Sequence, residues 1–120
     1  MKIAFIHDWE PDFFQEMTWQ DGLAAAIAIL KTRHELEFFT VGPRMDLPHP
    51  LVGTIHFVPS GEEFVAAVKA INPDVIWHWA DATRPHAEPL RDLGKPMALS
   101  FAGGNPFGPT WHLFDHIFVE

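Results

Sequence analysis

Short apolar runs alternate with helix-like stretches along this chain, and that alternation predicts its fold. Residues 2–9 form an apolar run rich in Ile and Phe, read as a first strand. The polar and aromatic stretch over residues 10–17, with Pro11 near its start, reads as a long loop. Residues 19–31 combine high helix propensity with apolar positions on most faces and have Thr18 available as a cap, which predicts a buried helix packed on a sheet. Residues 35–41 alternate as a second strand. Pro43, Pro48 and Pro50 then forbid a continuous helix, so the second crossover is expected to be irregular. Residues 54–58 read as a short strand. Ser60, with Glu63 three residues on, has the capping-box spacing and predicts a helix from Ser60 as N-cap to about Ile71. Further along come a strand (74–80), a short helix (85–93) closed by Gly94, a strand (96–101), a helical turn (109–114) and a last strand (116–119).

Strands alternating with helices imply right-handed crossovers and a mostly parallel sheet covered on both faces. The expected fold is α/β: a single Rossmann-like domain over residues 1–120, with a mostly parallel sheet of about six strands and helices on both faces. An open sheet of this kind binds its ligand outside the carboxyl ends of the strands. His7, Asp8, His78, Asp81, Gly103, Gly104 and Asn105 are therefore expected to share one rim.

Composition narrows the function. The chain has 120 residues, 48% of them apolar, enough for one packed core. No apolar run approaches the roughly 20 residues that a bilayer requires, and acidic residues follow the N-terminus too early for a signal peptide. A soluble cytoplasmic protein is expected. A net charge of −8, with eight Lys and Arg scattered singly, offers no basic stripe for a phosphate backbone or anionic lipid, so no nucleic-acid partner is expected. The absence of cysteine removes disulfides and thiolate metal sites.

Several motifs can be set aside. The turn after the first strand has no glycine before Gly22, so the dinucleotide fingerprint is missing. Ser60 and Ser100 are the only serines, and neither lies in a nucleophile elbow. Eight histidines invite a metal, but none form a His-x-x-x-His pair on one helix; His34, His49, His56, His86 and His116 read as isolated surface or turn residues, and no metal is expected. His78 stands between Trp77 and Trp79 in a strand, so period two sends it to the opposite face, as a core histidine or a ligand contact. Trp77, Trp79, Trp111 and Phe107 are either an aromatic platform or ordinary core. Asp8, Asp12, Glu16 and Asp81 could supply a base near the rim, or could simply be solvated. Ala-Gly-Gly-Asn-Pro-Phe-Gly-Pro at residues 102–109 follows a strand directly; its amides could hold a hydroxyl or an anion, or form a plain turn.

Met-Lys-Ile-Ala-Phe-Ile at the start, Trp19-Gln-Asp-Gly-Leu before a helix, Arg33-His-Glu-Leu entering a strand, Asn72-Pro-Asp-Val-Ile, the run from Gly94 to Gly104 and Phe114-Asp-His-Ile-Phe-Val-Glu together carry a resemblance. The chain resembles the N-terminal, acceptor-side domain of GT-B glycosyltransferases of the group 1, or family 4, type. The resemblance implies half of a two-domain enzyme that transfers a hexosyl group from a nucleotide-sugar to an acceptor. The donor would be held mainly by a C-terminal domain, and this chain alone would be inactive. It implies acceptor contacts at Trp19, Gly22, His78, Asp81, Gly103, Gly104 and Asn105, with no cofactor and no assigned catalytic residue, since the positions where such enzymes carry histidines hold Trp77 or Trp79 and Ala102 here. A homo-oligomer is compatible with it. The rival expectation is a stand-alone α/β binding or protein-interaction module without turnover.

Overall fold

The structure, a computed structural model, describes residues 1–7, 21–49, 53–79, 84–101 and 111–119, with side chains at all of these except 7, 21–24, 79, 84, 85, 101 and 119. Seven strands run β1 (Lys2–His7), β2 (Glu35–Val41), β3 (Met45–His49), β4 (Gly53–Val58), β5 (Val75–Trp79), β6 (Met97–Phe101) and β7 (His116–Val119). The helices are α1 (Asp21–Lys31), α2 (Glu62–Ala70) and α3 (Arg84–Arg91), with a 3-10 turn at Trp111–Leu113. One sheet orders the strands β3-β4-β2-β1-β5-β6-β7. All neighbours are parallel except β3 and β4. The protein is thus α/β with a mostly parallel sheet. Among the described residues, no helix is long and apolar enough to cross a membrane.

The handedness of the crossovers explains where the helices lie. Right-handed connections that step from β1 toward β4 fall on one face, and those that step back toward β7 fall on the other. Accordingly Ile27 of α1 packs with Phe5, Phe38, Ile55 and Phe57 on one face. Phe64 and Val68 of α2, with Ala87 and Leu90 of α3, pack over Ala4, Ile6, Phe39 and Ile76 on the other. β1 is buried on both sides, with Ile3, Ala4, Phe5 and Ile6 at most 4% exposed, as a central parallel strand requires.

Three expectations change. The proline-rich second crossover is a strand, β3, so the count is seven rather than about six. Pro48 is tolerated there because β3 is an edge strand, where a missing N–H breaks no interior ladder. The N-cap of α2 is Gly61, at φ 90°, and no side chain caps the helix. Ser60 lies outside it, and Glu63 instead accepts a hydrogen bond from Arg44 at 2.6 Å. Finally, α1 is not a buried helix over its described side chains: Ile27 is buried, whereas Ile29 is 63% exposed and Ala25, Ala26 and Ala28 are exposed. Its alanines serve helix propensity rather than packing. The expected glycine after α3 is confirmed, Gly94 taking φ 73°.

The amino ends of the strands are tied by two carboxylates. Asp74 accepts the Lys2 N–H at 2.7 Å and returns its own N–H to the Lys2 carbonyl. Asp115 accepts the Met97 N–H at 2.9 Å, returns its N–H to the Met97 carbonyl, and takes both guanidinium arms of Arg91 at 2.6 and 3.0 Å. The Arg91 guanidinium first, and the Met97 amide second, hold the Asp115 carboxyl down to about 2. A depressed carboxylate contributes stability above its unfolded value and loses it as pH falls through the folded one. Asp115→Asn should therefore lower the thermal midpoint at pH 7. Its deficit relative to the parent should shrink as melts are repeated from pH 4 toward pH 2; a deficit unchanged over that range would contradict the role given to Asp115.

Candidate ligand site at the carboxyl ends of the strands

The two windings of the sheet part between β1 and β5, which are neighbours paired in register from Ile3 with Val75 to His7 with Trp79. The helices that follow these two strands, α1 and α3, pack on opposite faces, and a sheet wound so is expected to bind its ligand above the carboxyl ends of the pair. His7 and Trp79 end the two strands at the same level. Ser100 pairs with Trp79 and brings the end of β6 alongside.

One position below this rim, the alternation of β5 separates Trp77 from His78, as expected from period two. Trp77 faces the α1 side, 5.7 Å from the Phe5 ring, and donates its indole N–H to Ser100 Oγ at 2.8 Å. It is a half-buried tryptophan packed against that core, with its polar end satisfied. His78 faces the α2–α3 side and is fully buried, with its ring edge-to-face against Phe114 at 5.0 Å. Neither ring nitrogen has a hydrogen-bond partner among the described residues. Burial first, and the neighbouring His86 second, push its pKa down to about 3. His78 is therefore a neutral imidazole at physiological pH, with one N–H and one lone pair that no described residue uses. Each unused buried group costs about 1–3 kcal/mol, which makes the residue an exception to the rule that buried polar atoms are paired.

His86 supplies a second buried imidazole. It stacks on Phe64 at a centroid distance of 4.4 Å, and burial lowers its pKa. The expectation of surface or turn histidines fails here and at His49, both buried. It also fails at His56, which is half-buried between two carboxylates. Isolation along the chain says nothing of burial, because an imidazole packs as a flat ring. The spacing of His86, Ala87 and Leu90 along one face of α3 was the available signal. His112 and His116 stand four apart, but one sits in the 3-10 turn and the other opens β7, so their spacing is not helical; both are exposed.

Of the residues expected at the rim, His78 lies beneath it. Gly22 is the second residue of α1 and has helical backbone, so it forms no turn loop. Trp19, Asp81, Gly103, Gly104 and Asn105 lie outside the described residues, as do Asp8, Asp12, Glu16 and Phe107. In sequence, Asp81 follows the end of β5 by two positions and Gly103 the end of β6 by two. Among the described residues, no group of three or more His, Asp or Glu side chains is placed to hold a metal ion. No protein-family model matches this chain, and no match was found among curated proteins or among solved structures.

The state of His78 makes a stability test. The unfolded imidazole takes a proton near pH 6.5 and the folded one only near 3, so stability falls as pH drops through that window. His78→Leu removes both unpaired nitrogens at similar volume. At pH 7 its urea-unfolding free energy should equal the parent's or exceed it by about 1–3 kcal/mol. The loss of stability between pH 6.5 and 3 should be smaller than in the parent. A variant markedly less stable at pH 7 would show that the imidazole makes a contact the fold needs.

Proposed function

We propose that this chain is a Rossmann-like binding domain that takes a small ligand at the carboxyl ends of β1 and β5, and that it forms the acceptor-side half of a glycosyltransferase moving a hexosyl group from a nucleotide-sugar. The observation that supports the reading best is the strand order. With the antiparallel edge strand β3 set aside, the parallel strands fall in the order third, second, first, fourth, fifth, sixth along the chain. That order reverses beside β1, where doubly wound sheets bind their ligands. His78 lies one position below that point. It is a buried, neutral imidazole that no described residue bonds, directly beneath the strand end assigned to the ligand.

The chemistry assigned to the domain is positioning. Fixing an acceptor hydroxyl near an anomeric carbon converts an encounter into an oriented reaction. The turn after β1 lacks the glycines that let a diphosphate approach a helix N-terminus, which is why the donor is assigned mainly to a second domain. A second reading, a binding module without turnover, is favoured by the exposed rings at the β7 edge: Trp111 is 52% and Phe118 56% exposed.

The natural product of the gene, incubated with a panel of nucleotide-sugars and simple glycosides, should release nucleoside diphosphate only when both donor and acceptor are present. His78→Leu should lower that release while the protein stays folded. Binding of a glycoside with no nucleotide release from any donor would replace the enzyme reading with the module.

A further inference from the structure

A second cluster lies away from the rim, on the α2–α3 face, where β2, β4 and β3 run side by side. Glu37 of β2, His56 of β4 and Asp46 of β3 project to the same face, and Asp46 is the cross-strand partner of His56. His56 Nε2 lies 2.9 Å from Glu37 Oε2, and its Nδ1 lies 2.8 Å from Asp46 Oδ1. A neutral imidazole carries one N–H, so it can donate to only one of these oxygens and must turn a lone pair on the other. Two short contacts to two carboxylates are accommodated together only when the cluster holds one more proton, as an imidazolium.

The strand fastened this way is an edge strand, paired along one side only, to β4. Four of the five residues of β3 are exposed or half-exposed, and His49 alone is buried. Between this edge of the sheet and α2 lies an open cavity of about 420 Å³, lined by Phe39, Met45, Ala67 and Ile71 together with His56 and Asp46. The other charged side chain lining it is Arg44, which Glu63 of α2 holds at 2.6 Å. Ala67 of α2 and Ile71, the helix's C-cap, are what that element presents to the cavity, and neither is titratable.

We propose that Glu37, His56 and Asp46 form a proton-dependent clasp that fastens the edge strand β3 to the sheet beside this open cavity, and that loss of the shared proton loosens β3 along the cavity's edge. Asp46 is the arm that lets go, since its side chain is 71% exposed against 31% for Glu37. Burial opposes protonation of His56, but its hydrogen bonds to Asp46 and Glu37 and their negative charges outweigh it and raise the pKa above 6.5. For a raised histidine, the stabilisation is complete below the unfolded value and disappears as pH rises through the folded one. The clasp is therefore closed in mild acid and opens on the alkaline side. This device is independent of the ligand assigned to the rim.

The test pairs ring-nitrogen NMR of His56 with amide exchange along β3 from pH 5.5 to 9. Both ring nitrogens should be protonated at pH 6.5 and one should lose its proton above it. Over the same window, the protection of the β3 amides that bond β4, corrected for the intrinsic pH dependence of exchange, should fall by roughly tenfold, the size of one partly exposed charge-assisted bond. β1 and β5 should be unaffected. Asp46→Asn should lower the His56 titration and leave β3 poorly protected at every pH; Glu37→Gln should lower the titration as well. A His56 ring with a single protonated nitrogen at pH 6, or β3 protection indifferent to its titration, would overturn the clasp.

Discussion

The structure depends on the double burial of β1. Ala4 and Ile6 are committed to the layer under α2 and α3, and Phe5 to the layer under α1, so the strand cannot shift by one residue without exchanging its two faces. Parallel pairing to β2 on one side and β5 on the other then sets the two windings going in opposite directions. A sheet wound in this way is expected to bind its ligand above β1 and β5.

The two ends of the sheet are built differently. At the amino ends, Asp74 and Asp115 each exchange paired hydrogen bonds with the strand beside them, and Arg91 adds its charge to the second. Just below the carboxyl ends, His78 stays neutral with neither nitrogen bonded among the described residues. His56 shows the opposite solution for the same side chain, with both nitrogens bonded and a proton retained. A polar group paired in this way supports structure, whereas one left unpaired in a close-packed layer stores free energy that a ligand can release.

Much of this architecture was legible in the chain because the parallel strands are apolar runs separated by helix signals. β2 and β7 begin and end where the pattern placed them. β3 was hidden because proline speaks against strand, and only its position at the edge of the sheet, a tertiary fact, makes Pro48 harmless. Gly61 displaced Ser60 because a glycine at positive φ can start the helix by itself, leaving Glu63 for Arg44. The opposition of His78 to Trp77 followed from period two alone. Its isolation from hydrogen-bonding partners did not, since that depends on Phe114 and His86 arriving from distant parts of the chain. Most of the other side chains expected at the rim lie outside the described residues, so the strand ends carry the argument for a site there.

Amide chemical-shift mapping with a panel of small glycosides tests the location of the site most directly. The account predicts shifts at the carboxyl ends, at Ile6, His7, His78, Trp79, Ser100 and Phe101, while Lys2, Asp74, Met97 and His116 stay fixed. Shifts confined to those amino-end residues, or to the cavity beside His56, would contradict it.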